Sequence, residues 1–385
     1  MIPYGKQDIS QSDIEAVVQV LQSDYLTQGS QVPLFEKIVA DYCGADYAVA
    51  VNSATSALHI ACLALGLGEG DRLWTSPNTF VASANCALFC GATVDFVDID
   101  PRTYNMSVAE LAKKLQQAKQ NNSLPKVVIP VHFAGQSCEM KAIYALSQQY
   151  GFHIIEDASH AIGGQYLGSP IGGGEYSDIT IFSFHPVKIV TTGEGGVATT
   201  KQPQLAEKMQ LLRSHGVTRA PYLMDNPQEG AWVYQQVDLG FNYRMTEMQA
   251  ALGISQMQRL NDFIARRAAL AQRYNQLLEH LPLTKPFQHH DTRSSFHLYP
   301  ILIQTEHASK TRLEVFETLR AQGVGVNVHY IPVHTQPYYQ KMGFTVGDFP
   351  EAEHYYQQVI SIPVFHAMTD AEQDKVVKVL EQVLS

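Results

Sequence analysis

Short apolar segments alternate with amphipathic ones through the first half of the chain. Four apolar runs bounded by turn residues predict strands at residues 47–52, 93–97, 127–131 and 153–156. Residues 53–65, directly after the first run, predict a helix. This repetition favours an α/β fold with a mostly parallel central sheet covered by helices on both faces. In such sheets, ligands bind at the carboxyl ends of the strands.

The second half of the chain has a different pattern. Apolar residues recur at helical spacing from residue 247 to 281 without a proline, which predicts one long helix. Strands at 297–303 and 324–328 and helices at 310–322 and 370–384 follow. We therefore predict a large domain over residues 1–249 and a smaller C-terminal α+β domain over residues 250–385.

The composition is that of an ordinary globular protein, with 45% hydrophobic and 17% charged residues among 385. A net charge of -10 disfavours nucleic acid and anionic membranes as partners, because both repel an acidic surface. The longest apolar run, 57–67, is too short to span a bilayer, and residues 1–10 lack a signal-peptide pattern. The five cysteines have no CxxC spacing, which is typical of reduced thiols in the cytoplasm, and no ligand cluster predicts a metal site.

Two charged residues follow apolar strands. Asp157 comes at the end of the run 153–156, which places it at the carboxyl edge of the predicted sheet. Lys188 lies between a later apolar strand and a glycine-rich turn, where desolvation would lower its pKa and make the amine nucleophilic. Taken singly, each has a simpler interpretation, as a helix cap or turn acid and as a surface-loop lysine.

A third segment, residues 52–58, enters a helix through small hydroxyl residues. The free N–H groups at a helix N-terminus suit a phosphate, although N-capping by Ser53 or Thr55 alone is common. A phosphate cradle, an acid at a strand end and a lysine on a later strand together match what pyridoxal 5'-phosphate (PLP) requires. No GxxxxGK[ST] or GxGxxG loop indicates a nucleotide-binding protein instead.

In these residues and in further motifs the chain resembles the DegT/StrS-type sugar-nucleotide aminotransferases, which have the aspartate-aminotransferase fold (PLP fold type I). The resemblance extends over essentially the whole chain. The matching segments are 26–29 (LTQG), 52–58 (NSATSAL), 156–163 (EDASHAIG), 183–188 (SFHPVK), 193–196 (GEGG), 213–216 (RSHG), 242–245 (NYRM) and 329–334 (HYIPVH).

The resemblance implies a role for each cofactor residue. Lys188 would form the Schiff base with PLP and act as the general acid and base, and Asp157 would pair with the pyridine nitrogen. The other contacts would come from Ala54, Thr55 and Ser183 at the phosphate, Phe80 on the ring and His160 near the phenolic oxygen. Core packing is the simpler interpretation of Phe80, and many relatives have Gln in place of His160.

The resemblance also implies substrates and a homodimer with shared active sites. Asn242 would reach the phosphate in the partner's site, and L-glutamate would be the amine donor. The sugar nucleotide would meet Tyr4, Asp24, Tyr25, Leu26, Thr27, Asn327, Val328, His329 and Tyr330. Whether His160, His185, His329 or His334 takes part in proton transfer stays open, because a histidine near a cofactor is as often a hydrogen-bond partner.

Within the family, segments 52–58, 183–188 and 327–334 are most similar to the enzymes of pseudaminic acid biosynthesis. These enzymes aminate C4 of UDP-2-acetamido-2,6-dideoxy-β-L-arabino-hex-4-ulose. The product is UDP-4-amino-4,6-dideoxy-N-acetyl-β-L-altrosamine.

Three alternatives stay open at this point. The enzyme could act on another keto-sugar nucleotide, such as a dTDP-linked 3- or 4-keto hexose or a UDP-4-keto pentose. A dehydratase of the same fold would carry His in place of Lys188. A non-enzymatic regulator is disfavoured because Lys188 and Asp157 are both present and no basic or DNA-binding segment is appended.

Overall fold

The computed structural model of the protein describes residues 1–225, 230–304 and 310–384. Its helices are α1 (Gln11–Leu21), α2 (Gln31–Cys43), α3 (Ala54–Ala64), α4 (Ala82–Phe89), α5 (Val108–Gln120), α6 (Met140–Tyr150), α7 (Pro203–Arg213), α8 (Glu247–Met257), α9 (Leu260–Leu277), α10 (Arg312–Ala321), α11 (Pro337–Gln340), α12 (Pro350–Gln358) and α13 (Asp370–Leu384). Its strands are β1 (Tyr47–Val51), β2 (Arg72–Thr75), β3 (Thr93–Phe96), β4 (Val127–Ile129), β5 (His153–Asp157), β6 (Gln165–Tyr166), β7 (Ser169–Pro170), β8 (Ile179–Ser183), β9 (Gly196–Thr200), β10 (Val217–Thr218), β11 (Gln235–Gln236), β12 (Leu283–Thr284), β13 (Thr292–Arg293), β14 (Tyr299–Ile303) and β15 (Val359–Ile362). None of these helices is both long and apolar enough to cross a membrane.

Seven strands form the central sheet in the order β1-β9-β8-β5-β4-β2-β3. The strands β3, β2, β4, β5 and β8 pair in parallel, whereas β9 is antiparallel to both of its neighbours, β1 and β8. The prediction of a mostly parallel central sheet is therefore confirmed. Because the parallel strands end at one edge, the loops that follow them lie close together there.

Alternate residues of the strands face opposite layers of helices, as the side-chain period of two requires. Val49 and Val51 of β1 pack against α3, in a buried cluster that also contains residues of α4 and α7. Ala48 and Ala50 face the other way, towards α2 and α8. At the far end of the sheet, Val128 packs among residues of α5 and α6. Both faces of the sheet are therefore covered.

A second core forms around the sheet β12-β14-β15, with apolar residues of α9, α10 and α13 packed against it. Ile2, near the start of the chain, packs into the same core. Its N–H donates to the carbonyl of Gly323 at 2.8 Å, and it forms a parallel bridge with Val324. The exact boundary between two domains, placed at 249/250 from the sequence, stays a prediction.

The predicted single helix over 247–281 is wrong, because the structure has two helices, α8 and α9, separated at Gln258 and Arg259. At this break the Arg259 N–H donates to the carbonyl three residues earlier, at 3.0 Å. The Arg259 guanidinium bonds to Asp8 at 2.8 Å and to Asp13 at 2.7 Å, so the break coincides with the docking of the N-terminal segment. The apolar spacing continues through the break, which hides it from a pattern analysis.

The strand predicted over 324–328 is also wrong. In the described chain this segment makes single bridges, from Val324 to Ile2 and from Asn327 to Ser361, but no continuous ladder. Val324 and Val326 are buried in the second core, and this one-sided burial explains the alternating pattern.

Candidate active site

Helix α3 begins just after the carboxyl end of β1 with its first donors free. The Ser53 hydroxyl caps the helix by accepting the Ser56 N–H at 3.1 Å. Among the described residues, no acceptor pairs with the N–H groups of Ala54 and Thr55, and the Ser183 hydroxyl at the end of β8 has no partner either. These donors, with the helix dipole behind them, match the needs of a phosphate.

Strand β9 passes directly against this N-terminus. A Cβ atom on Gly196 would lie 2.5 Å from the nitrogen of Ala54 and 2.6 Å from the carbonyl carbon of Ser53. Because both are backbone atoms, a side chain at this position would have to displace the start of α3. Gly196, the last residue of the glycine-rich segment 193–196, is therefore required by this close approach.

Asp157 ends β5, and its side chain is buried. Its Oδ2 accepts the Ser83 hydroxyl at 2.5 Å, and its Oδ1 accepts the Ser159 N–H at 3.0 Å. The Ser83 hydroxyl also lies 2.9 Å from that of Thr79. Both carboxylate oxygens are therefore held in a fixed direction. Ser83 was not among the predicted site residues, because nothing in its local sequence indicates its contact with Asp157.

Glu156, one residue earlier on β5, forms a separate buried network. Its Oε2 lies 2.6 Å from Nε2 of His132, whose Nδ1 accepts the Cys138 N–H, so the imidazole proton is on Nε2. Burial alone would raise the pKa of Glu156, but the bonds from His132, Ser177 and Thr180 outweigh it and keep the pKa below its ordinary value. The backbone N–H of His132 donates to the backbone carbonyl of Asp157 at 3.0 Å, which connects this network to the acid of the site.

Lys188 lies partly buried in the turn after β8. Its backbone N–H donates to the carbonyl of His185 at 2.9 Å. Burial lowers the pKa of Lys188 to about 8, and the nearby carboxylate of Asp157 opposes this shift. An amine with such a pKa has a substantial neutral fraction near neutral pH, which is the form that attacks a carbonyl.

Three histidines lie close enough to Lys188 to feel its charge. Burial, and then the charge of Lys188, lowers the pKa of His329 to about 3 and that of His160 well below its ordinary range. The ring of His297, which the sequence analysis missed, lies 4.4 Å from that of His160, and burial also lowers its pKa. These imidazoles are therefore neutral at physiological pH and act as hydrogen-bonding groups rather than cations.

Several predicted substrate residues meet at these histidines. The Nδ1 of His160 accepts the Ala134 N–H at 3.3 Å, so its Nε2 carries the proton and donates to the Tyr330 hydroxyl at 3.0 Å. The Tyr4 ring lies 5.5 Å from that of His329, and Asn327 and Val328 directly precede His329 in the chain. The structure therefore brings Tyr4 and residues 327–330 together with the cofactor residues.

Other predicted residues stand apart within a single chain. Asp24, Tyr25, Leu26 and Thr27 lie exposed in the loop between α1 and α2, and Asn242 is exposed beside Ser214. Phe80 is 60% exposed after β2 and is not a core residue. His185 faces Glu194 at 3.8 Å, whereas His334 is buried and bonds to Glu353 at 2.8 Å.

One further polar group among the described residues has spacing suited to metal ligands, which the sequence analysis did not predict. The ligand atoms of His289, His290 and Asp291 lie within 4.8 Å of one another. Asp291 pairs with His290 at 3.1 Å.

Residues 7–381 match the model of the DegT/DnrJ/EryC1/StrS aminotransferase family. The chain belongs to this family. Over 386 residues it is 40% identical to the spore coat polysaccharide biosynthesis protein SpsC of Bacillus subtilis, covering 100% of the chain and 97% of that protein. Over 390 residues it is 38% identical to a UDP-4-amino-4,6-dideoxy-N-acetyl-beta-L-altrosamine transaminase of Campylobacter jejuni, covering 100% and 98%.

Solved structures agree with this family. The chain matches PseC of Helicobacter pylori, an aminotransferase involved in the biosynthesis of pseudoaminic acid, with a TM-score of 0.90 and 29% identity over 100% of this chain and 99% of that one. It also matches the putative sugar aminotransferase Spr1654 of Streptococcus pneumoniae in its PMP-form, with a TM-score of 0.90, 28% identity and coverage of 100% and 99%. Spr1654 has also been solved in a PLP-form.

As a member of the DegT/DnrJ/EryC1/StrS family, the protein is a PLP-dependent sugar aminotransferase. The residues present fit this cofactor. Lys188 has an amine of low pKa, Asp157 has a fixed and buried carboxylate, and the donors of Ala54, Thr55 and Ser183 have no other partner in the described chain. The predicted fold, PLP fold type I, is confirmed.

Proposed function

We propose that the enzyme transfers the amino group of L-glutamate to C4 of UDP-2-acetamido-2,6-dideoxy-β-L-arabino-hex-4-ulose, a UDP-linked 4-keto-6-deoxy-HexNAc, in pseudaminic acid biosynthesis. The product is UDP-4-amino-4,6-dideoxy-N-acetyl-β-L-altrosamine. The full-length similarity to the Campylobacter jejuni transaminase of that name supports this choice of sugar. The observation that carries the chemistry is the Lys188 amine, whose pKa is lowered to about 8 beside Asp157.

Lys188 and Asp157 have different roles in the reaction. Bound PLP would supply an electron sink when the Cα proton of L-glutamate leaves. The neutral amine of Lys188 would accept that proton and later return it. Asp157, fixed by Ser83, would hold the pyridine nitrogen in its protonated form.

The remaining residues bind and orient the cofactor. Its phosphate would be held by Ala54, Thr55 and Ser183, whose donors are free of other partners in the described chain. Phe80 would cover the ring, and its exposure in the single chain leaves its face available. His160, neutral and hydrogen-bonded to Tyr330, would contact the phenolic oxygen.

The substrate side uses residues from both ends of the chain. Tyr4, Asp24, Tyr25, Leu26, Thr27, Asn327, Val328, His329 and Tyr330 contact the sugar nucleotide. The enzyme works in the cytoplasm as a homodimer, in which Asn242 completes the phosphate site of the partner. In the segment that precedes Asn242, the side chains of Tyr222, Trp232 and Leu239 are each about three-quarters exposed, and such exposed apolar side chains support coverage by a second subunit.

Another keto-sugar nucleotide is the second candidate for the substrate. The similarity to SpsC, a spore coat polysaccharide biosynthesis protein, is slightly higher than that to the Campylobacter jejuni transaminase. Both relatives are matched over nearly their full length, so a keto-sugar nucleotide other than that of the Campylobacter jejuni transaminase is the alternative to test.

The absorption spectrum of the purified enzyme tests the proposal in three steps. Lys188 should give a visible imine band with PLP, L-glutamate should bleach it, and the UDP-linked 4-keto sugar should restore it. If only a dTDP-linked keto sugar restored the band, the proposed substrate would be wrong and the aminotransferase activity would stand. The matched control is Lys188→Ala, which should lack the band and all turnover; normal turnover by this variant would contradict the role of Lys188.

A further inference from the structure

Glu247, the first residue of α8, is almost fully buried at the N-terminus of a different helix. Its Oε2 accepts the Gln31 N–H at 2.6 Å, and its Oε1 accepts the Val32 N–H at 3.4 Å. Ser30, at the N-cap position of α2, provides no side-chain cap of its own. The carboxylate therefore caps α2 from outside, and as an acid in the first turn of α8 it complements that helix dipole as well.

The same residue holds the segment that joins α1 to α2, residues 23–30, here called the α1–α2 loop. The Glu247 N–H donates to the carbonyl of Leu26 at 3.0 Å. A Cβ atom on Gly29 would lie 2.7 Å from Oε2 of Glu247 and 2.9 Å from Cβ of Tyr25, so the loop passes against the carboxylate. The other hydrogen bonds recorded for this loop join residues at most four positions apart. Glu247 is thus its hydrogen-bonded anchor to the rest of the described chain.

The first turn of α8 also contacts the glycine-rich turn that follows Lys188. The Gln249 side chain donates to the carbonyl of Glu194 at 2.9 Å, and it completes the capping box of α8 with Thr246. A single helical turn therefore holds the α1–α2 loop on one side and the segment behind Lys188 on the other.

We infer that Glu247 is a positioning residue for the sugar nucleotide, because it fixes the α1–α2 loop relative to the Lys188 segment. The inference rests on the proposed function, which assigns Asp24, Tyr25, Leu26 and Thr27 to the sugar nucleotide. Glu247 acts through the loop and not on the reacting atoms. Its loss therefore weakens binding of the keto sugar and spares the half-reaction with L-glutamate.

The first test compares Glu247→Gln with wild type in the holoenzyme. The variant removes the charge and sets an amide NH₂ group against one of the two helix N–H groups. We expect the KM for the UDP-linked keto sugar to rise about tenfold, the effect of losing one charge-assisted hydrogen bond. The kcat and the rate of bleaching by L-glutamate should stay within about twofold, since Lys188 and Asp157 are untouched.

The matched control is Glu15→Gln. Glu15 lines the same surface cleft as Glu247, but its recorded hydrogen bond comes from Gln11 on its own helix, and its side chain is exposed. Removing this carboxylate should leave both half-reactions unchanged. A rise in KM equal to that of Glu247→Gln would assign the effect to the charge of the cleft and overturn the inference.

A second measurement is independent of any substrate. Hydrogen exchange of the Gln31 and Val32 amides should accelerate about tenfold in Glu247→Gln, because the carboxylate that accepts their N–H groups is replaced. Gly29→Ala, which crowds the intact carboxylate, should give the same pattern of exchange and KM. Unchanged exchange in both variants overturns the positioning role. Absence of sugar turnover in wild type overturns the proposed function instead, and the exchange data still decide the role of Glu247.

Discussion

Lys188 shows how a single residue takes its chemistry from its surroundings. Burial favours the neutral amine, and the carboxylate of Asp157 favours the charged one, so the pKa of about 8 is the balance of two opposing effects. Burial prevails, because the pKa lies below the 10.5 of an ordinary lysine. The enzyme therefore keeps an amine that can both attack and carry a proton near neutral pH.

This balance predicts a pH-dependent stability in the cofactor-free protein. The folded amine loses its proton near pH 8, whereas the unfolded one does so near 10.5. Between these values the unfolded chain binds more protons, so the free energy of unfolding rises with pH, by at most about 1.4 kcal/mol per unit. Urea denaturation from pH 8 to 10 should show that the free energy of unfolding of wild type rises relative to that of Lys188→Met. A constant difference between the two proteins would contradict the lowered pKa. Lys6→Met, which removes an exposed lysine, is the control.

The site residues that the sequence predicted are those that lie at the ends of strands or the start of a helix. Asp157 and Lys188 follow apolar strands, and residues 54–55 begin a helix, so local pattern places them at one edge of the sheet. Ser83 and His297 were missed because their roles come from contacts far along the chain: Ser83 meets Asp157 across 74 residues. No local pattern marks such a pair, since either side chain alone is an ordinary helix or loop residue.

At the scale of elements, the approach of β9 to α3 limits what the sequence can contain. Gly196 lies so close to Ala54 and Ser53 that a methyl group would press on backbone atoms. The start of α3 carries the free N–H groups assigned to the phosphate, so crowding there acts on the cofactor site directly.

We therefore expect Gly196→Ala to destabilise the protein by roughly 1–3 kcal/mol, the usual cost of overpacking, and to weaken PLP binding. Thermal unfolding and PLP titration by absorbance measure the two effects. Gly68→Ala is the matched control, because a Cβ atom there would meet nothing within 4 Å. Equal PLP affinity in Gly196→Ala and wild type would show that the start of α3 does not hold the phosphate.

The sequence predicted the ends of helices correctly where the pattern of buried residues alone sets them. The helix predicted over 53–65 spans Ala54–Ala64, and that over 370–384 spans Asp370–Leu384. The break between α8 and α9 was missed because it is made by the side-chain bonds of Arg259 to Asp8 and Asp13, not by a proline or glycine. These two partners lie 251 and 246 residues earlier in the chain.

At the scale of the whole molecule, the proposed shared site makes a prediction about mixed dimers. Lys188→Ala removes the amine of one chain, and Asn242→Ala removes the group that one chain supplies to its partner. Each homodimer should have low activity. A heterodimer of the two has one site with both residues intact, so random exchange should restore about a quarter of wild-type activity.

The measurement is transaminase activity after the two variants are co-expressed or exchanged, with heterodimers verified by differently sized tags. Two inactive preparations of the same variant, treated identically, are the control. Verified heterodimers without recovered activity would show that each site is built from one chain.

The bridge between Ile2 and Val324 has a consequence for protein synthesis. The ribosome delivers Ile2 first and its partner only when most of the chain has been made. The central sheet, complete by Thr200, can fold as translation proceeds, because units generally fold in the order of their emergence. The second core cannot form until the strands and helices beyond residue 280 have emerged and Ile2 can pack against them. A nascent chain arrested before residue 324 would therefore leave the apolar side chain of Ile2 unpaired, and unpaired apolar segments are the kind that chaperones bind.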